Sequence, residues 1–170
     1  AGRVHLVWLD KRAKDAAGGA YAGVALYHAV SADGARFGPN TKLADHTCEC
    51  CRIALALDAD GVPVSVWRHV FDQNTRDHAL LRLDGVSTLV RASHDDWRVD
   101  GCPHHGPALS IGPDGTYHLA WFTGAPGRAG LYYRRTHNQG KNFTTPLAFG
   151  NVNAQPARPQ VLSLGKRVVL

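Results

Sequence analysis

Apolar residues fall on alternate positions in short runs along this chain, and the runs recur. Gly2 opens GRVHLVW ending at Trp8, Gly61 opens GVPVSVW ending at Trp67, and Gly115 opens GTYHLAW ending at Trp121. A fourth copy, GKRVVL from Gly165, stops at Leu170, one position short of where its tryptophan would stand. Alternation with a period of two predicts half-buried strands. The second and third copies each follow another apolar run, IALALDADG from Ile53 and PALSIGPDG from Pro107, in which Asp-Gly closes a tight hairpin. Residues 21–30, 77–83 and 131–135 read as third strands, and 86–91 and 143–148 as fourth strands.

The tally is three, four, four and two strands. A four-stranded antiparallel meander repeating every ~50–55 residues is the unit of a β-propeller blade, which buries both faces against its neighbours. The expected fold is therefore all-β, a partial β-propeller over 1–170. Blade boundaries fall near 1–46, 47–100, 101–152 and 153–170, the last incomplete. The alternative is a β-sandwich, whose strands lack a signature repeated in every unit. Trp8, Trp67, Trp121 and Leu170, at the repeat position, are expected in the core.

Composition supports this. A chain of 170 residues with 44% hydrophobic and 19% charged residues is long enough for one domain with a buried core. Glu49 is the sole glutamate among 14 acidic residues, and there are 18 glycines. Asp and Gly favour turns where Glu and Lys favour exposed helix, so short strands and tight turns are expected throughout. No apolar run approaches the ~20 residues of a membrane-spanning helix, so a soluble chain is expected. With no methionine and no visible signal segment, the chain reads as cut or processed from a longer one.

Net charge is +5, which suits an anionic partner such as a carboxylated glycan. Basic residues cluster only at Lys11, Arg12 and Lys14 and at Arg134 and Arg135, with no interleaved aromatics. Nucleic-acid binding is not expected.

One turn carries more information. THNQGKNF, residues 136–143, has the form Ser/Thr-x-Asp/Asn-x-Gly-x-x-aromatic between the expected third and fourth strands. Asn138 can bond back to the turn's own backbone, Gly140 can take positive φ, and Phe143 can plug into the blade. SADGARF at 31–37 is a shorter version, and RLDG at Arg82 a degraded one. Here the chain resembles the Asp-box (BNR-repeat) sialidase-like β-propellers. CECCRIALALDADG, WRHVF with RDHALLRLDG, and GCPHHGPALSIGPDG with HLAWFTG resemble secreted bacterial proteins of the exo-α-sialidase kind. The resemblance implies a six-bladed ring, of which this chain would supply about half, and a periplasmic or secreted location. The rest of the ring would come from the same propeller or from a protein partner.

Aligning the repeats on Gly61 and Gly115 places Cys48 on Cys102, and Cys50 and Cys51 on His104 and His105. Both segments lead into the first strand of a blade, which lines the channel of a propeller, so the two loops should converge at one mouth. Thiolate and imidazole are ligands for copper or zinc, with His46 as a further donor. The competing reading is disulfides, with Cys48 to Cys102 stapling neighbouring blades and Cys50 and Cys51 either reduced or joined as a vicinal bridge.

Catalysis is harder to place. Sialidases use a tyrosine nucleophile assisted by a glutamate, an aspartate acid/base and an arginine cluster, and no motif here transfers any of those roles. Arg52, Arg68, Arg76 and Asp77 are the candidate ligand-binding set, because Arg52 follows the cysteine cluster and Arg68 follows the blade tryptophan. The alternative has Arg76 and Asp77 as a surface pair and Arg68 stacked beside Trp67. Trp97 either walls a sugar site or packs beneath its loop. Three functions follow: a scaffold binding a ligand or metal through the Cys/His loops, an exo-α-sialidase with its catalytic residues elsewhere, or a structural propeller held by disulfides.

Overall fold

The computed structural model describes residues 2–12 and 23–170. The chain divides into two compact units, Ala1–Glu49 and Cys50–Leu170. In the first, strands β1 (Val4–Asp10), β2 (Val24–Ser31) and β3 (Thr41–Thr47) form one antiparallel sheet in that order. The β1–β2 register runs unbroken from Val4 opposite Ser31 to Asp10 opposite Ala25, whereas β2 and β3 slip around Leu26. Trp8 is half-buried, stacked on Tyr27 with ring centroids 5.9 Å apart. The start of the expected 21–30 strand, Tyr21 and Ala22, lies outside the described residues. So does Lys14 of the basic cluster.

The second unit is three meanders. Strands β4 (Ala54–Leu57), β5 (Pro63–Arg68), β6 (His78–Arg82) and β7 (Val90–Arg91) make one sheet, and β8 (Ala108–Ile111), β9 (Tyr117–Thr123), β10 (Gly130–Thr136) and β11 (Leu147–Phe149) the next. A hairpin of β12 (Leu162–Leu164) and β13 (Arg167–Val169) follows. Among the described residues the protein is thus all-β, in antiparallel sheets of three, four, four and two strands. The leading strands are neighbours, with β4 against β8 and β8 against β12.

Turn chemistry explains the hairpins. Asp58 Oδ1 accepts from the backbone N–H of Asp60 and Val62, and Gly61 sits at φ 74° where a Cβ would strain the backbone. The fourth strands are shorter than expected. Asp84 captures the N–H groups of Val86 and Ser87, which keeps those two residues out of the ladder, and β7 starts at Val90.

The three box-like turns use one device. Asp33 Oδ1 accepts from the Ser31 hydroxyl and from the N–H of Ala35 and Arg36, while Gly34 N–H donates to Ser31 Oγ. Asn138 Oδ1 likewise accepts from the Thr136 hydroxyl and from Asn142 N–H, with Gly140 N–H donating to Thr136 Oγ1. In the degraded copy the Arg82 guanidinium replaces the hydroxyl, donating to Asp84 across 2.7 Å.

Between the two four-stranded sheets, Val64, Val66, Leu80 and Ala92 of the first pack against Tyr117 and Leu119 of the second. Phe143 from the box turn packs against the same cluster. The Tyr117 hydroxyl donates to Asp58, which also receives Arg82 at 2.6 Å. Burial, and then the Asp58 charge, push the Tyr117 phenol up to about 12. Trp67 and Trp121 are fully buried, but Leu170 is exposed. The terminal hairpin is covered on the face of Ser163 and Val168 only, which leaves Leu162, Leu164 and Val169 exposed too. No helix among the described residues is long and apolar enough to cross a membrane.

Candidate metal site

Past β3 the chain turns at residues 48–51, with His46 at φ 55° bending the approach. Cys48 and Cys51 are buried and Cys50 is half-buried. The sulfur atoms of Cys48, Cys50 and Cys51 all lie within 4.8 Å of one another. Cys50 Sγ and Cys51 Sγ are 3.9 Å apart, far beyond the ~2.05 Å of a disulfide. Two thiolates each ~2.3 Å from a common ion stand ~3.8–4.0 Å apart, for tetrahedral or trigonal angles. The turn therefore holds its sulfurs near coordination spacing, and the three cysteines can bind a metal ion.

The expected disulfides are not formed among the described residues. The buried Cys48 and the exposed Cys102 do not bridge, and the vicinal pair stays open. Nor does the structure bring Cys102, His104 and His105 into the sulfur group. The loops do meet, as the repeat alignment implies, but through backbone. A Cβ on Gly106 would stand 2.4 Å from the Arg52 carbonyl oxygen and 2.7 Å from its nitrogen, so the 102–106 loop rests directly on the residue that follows Cys51.

From that anchor the side chains diverge. Cys102 and His104 are exposed, with His104 at φ 57°. His105 turns inward, its ring centroid 4.3 Å from that of Phe122. Burial, and then the Arg68 charge, lower its pKa and favour the neutral imidazole.

Arg52 is exposed on a groove of about 200 Å³ between β4 and β8, lined also by Ile53, Leu55, Pro107, Leu109 and Gln160. Arg68 is 1% exposed. Its Nη2 donates to the carbonyls of His105 at 2.9 Å and Phe122 at 2.8 Å, its Nε to His105 again, and its Nη1 to the Arg76 carbonyl. The guanidinium stacks on Trp97, 4.9 Å from the ring centroid. It clamps the two four-stranded sheets and the 102–106 loop together. Arg76 Nε donates to the Val99 carbonyl at 2.9 Å.

Asp77 is fully buried, so it is no surface partner of Arg76. Its Oδ2 accepts from the Arg91 guanidinium and from the N–H of Asp95 and Asp96. Trp97 packs beneath its loop, so close to Gly124 that a Cβ there would meet its ring at 2.5 Å.

Two buried titratable groups escaped the sequence reading. Asp95 accepts from Trp121 Nε1 at 2.7 Å, with Arg128 3.3 Å from its other oxygen at poor hydrogen-bond geometry, and burial raises its pKa. His78 is 1% exposed and bonded to Ser93, and burial lowers its pKa well below the ordinary value. HDDW is as polar as any exposed loop, so nothing signalled Asp95, and the expected 77–83 strand contains His78 without showing which of its polar residues are buried. No protein-family profile matches this chain, and no curated protein matches it.

Proposed function

We propose that this chain is part of a propeller-type scaffold whose function in this region is to hold a soft metal ion, copper or zinc, on the Cys48–Cys51 turn. The propeller reading is supported by the serial meanders, by the leading strands β4, β8 and β12 lying side by side, and by the 136–143 box turn placing Phe143 against the core between two sheets. The metal reading is carried by one observation: three thiol sulfurs within 4.8 Å of one another, two of the three side chains buried. Thiolates select soft or borderline ions, and proximity at coordination spacing removes much of the entropy cost of assembling the site.

Equilibrium dialysis of reduced protein under anaerobic conditions tests this. One equivalent of copper or zinc should be retained per chain, and retention should fall in Cys50→Ser and Cys51→Ser but not in Cys102→Ser. No retention of either metal by folded, reduced wild type overturns the reading.

A further inference from the structure

We infer that the ion suited to the Cys48–Cys51 turn is monovalent and soft, Cu(I), held by three thiolates in a trigonal site. This rests on the metal-binding reading above and specifies its ligand. The donor type narrows the choice of ion, and the number of donors and their burial then decide it.

The donor set is sulfur alone. Among the described residues the group contains Cys48, Cys50 and Cys51, with no imidazole nitrogen or carboxylate oxygen gathered alongside all three sulfurs. Thiolates select Cu(I) and zinc over harder ions, and zinc also takes all-cysteine sets, so the donor type confines the choice to these two ions.

The number is three. Structural zinc sites are closed by four protein ligands. Here the residues that the repeat offers as a fourth are turned elsewhere: Cys102 and His104 to solvent, and His105 onto Phe122. A closed-shell monovalent ion is satisfied by two or three soft donors. The Cys50–Cys51 sulfur separation of 3.9 Å falls within the ~3.8–4.0 Å that two ~2.3 Å bonds to one ion require.

The third feature is burial. Cys48 is 0% and Cys51 4% exposed, so a water completing a tetrahedral shell would have to enter beside two enclosed sulfurs. That requirement penalises Zn(II) and leaves a three-coordinate ion unaffected.

The test is competition. Reduced wild-type chain is titrated anaerobically with Cu(I) supplied from a chromophoric Cu(I) chelator, and separately with Zn(II) from a zinc indicator. X-ray absorption is then recorded on the loaded protein. The expected result is one Cu(I) per chain with three sulfur neighbours, tighter retention of Cu(I) than of Zn(II), and loss of the site in Cys50→Ser with the β-sheet circular dichroism retained. Preference for Zn(II), or a shell of four that includes nitrogen or oxygen, overturns the Cu(I) assignment while leaving the metal turn standing. Failure of folded, reduced wild type to bind either ion overturns both. Circular dichroism on each variant separates a lost ligand from a lost fold, and the wild-type competition stands without any variant.

Discussion

The turns at residues 48–51 and 102–105 occupy the same place in the repeat, each leading into the first strand of a four-stranded sheet, yet they end in opposite states. One gathers three sulfurs within 4.8 Å and buries two of its side chains. The other sends Cys102 and His104 into solvent and tucks His105 against Phe122. The second turn is held by its backbone: Arg68 draws in the His105 carbonyl and Gly106 lies flat on Arg52, which leaves the side chains no common direction. Equivalent position in a repeat fixes where a loop starts, and the contacts of its main chain decide where its side chains point.

Removing the clamp should have the largest effect. Arg68→Ala strips donors from three carbonyls around a buried guanidinium, those of Arg76, His105 and Phe122, and should cost about 3–5 kcal/mol in denaturant unfolding. Arg68→Lys should recover only part of this, because an ammonium cannot reach the same fork of acceptors. If Arg68→Ala unfolds like the wild type, the second turn is not held as described.

The two turns should next separate by metal affinity. Cys51→Ser should weaken binding by more than the ~10–100-fold that loss of an outer-shell partner costs, while Cys102→Ser should leave it unchanged. Equal losses in a competition titration would mean that the turns form one site.

Gly106→Ala probes the seam between the loop and Arg52. The new Cβ meets backbone rather than a movable side-chain tip, so one segment must shift, at about 1–3 kcal/mol by thermal or chemical unfolding. A neutral result would show that the loop floats free of Arg52.

Beneath the clamp, His78 should make stability depend on pH. Its folded-state pKa is depressed, first by burial and then by the Arg68 charge, so the unfolded chain binds the proton more readily. Stability from this group is complete above the unfolded value of ~6.5 and is lost as pH falls below it, at up to ~1.4 kcal/mol per pH unit. Asp95 acts with the opposite sign. Burial raises its folded-state pKa, so its unfavourable contribution is relieved as pH falls towards the ordinary carboxylate value. Unfolding midpoints between pH 7 and 5 should fall in the wild type and fall less in His78→Gln.

The smallest effect is expected far from both turns. Asn138→Ala removes an acceptor that binds the Thr136 hydroxyl and Asn142 N–H on an exposed turn, and should cost about 1 kcal/mol. Metal affinity should not change, which makes this variant the control for general destabilisation.

Much of the architecture was legible because strands and turns are written in local chemistry. The glycine-to-tryptophan spacing located β5 and β9, Asp-Gly located their hairpins, and the polar alternation of 136–143 located a turn whose bonds close as that chemistry requires. The tally of three, four, four and two strands follows from the same signals. Local patterning failed where one polar side chain captured the backbone, as Asp84 does in delaying β7, and where no neighbour covered an apolar residue, as at Leu170.

The candidate site was legible only in part. Cys48, Cys50 and Cys51 could be picked out because ligands one and two residues apart must stay close wherever the chain goes. Cys102, His104 and His105 could not be assigned in that way, since their relation to the first turn passes through Arg52 and Gly106, two residues with no ligand chemistry of their own. Arg68 looked like a ligand-binding residue by position and is an internal clamp by contact.

What the sequence determined by itself was therefore the series of antiparallel meanders, set by interactions that span a few residues, while its thiols stood in a wider group with Cys102, His104 and His105. The tertiary structure alone decided which charged groups are buried, which loop presents its ligands to solvent and which turn keeps its sulfurs together. The burial of Arg68 and the course of the second loop depend on carbonyls brought from 37 and 54 residues away to a single guanidinium, and no local pattern records them.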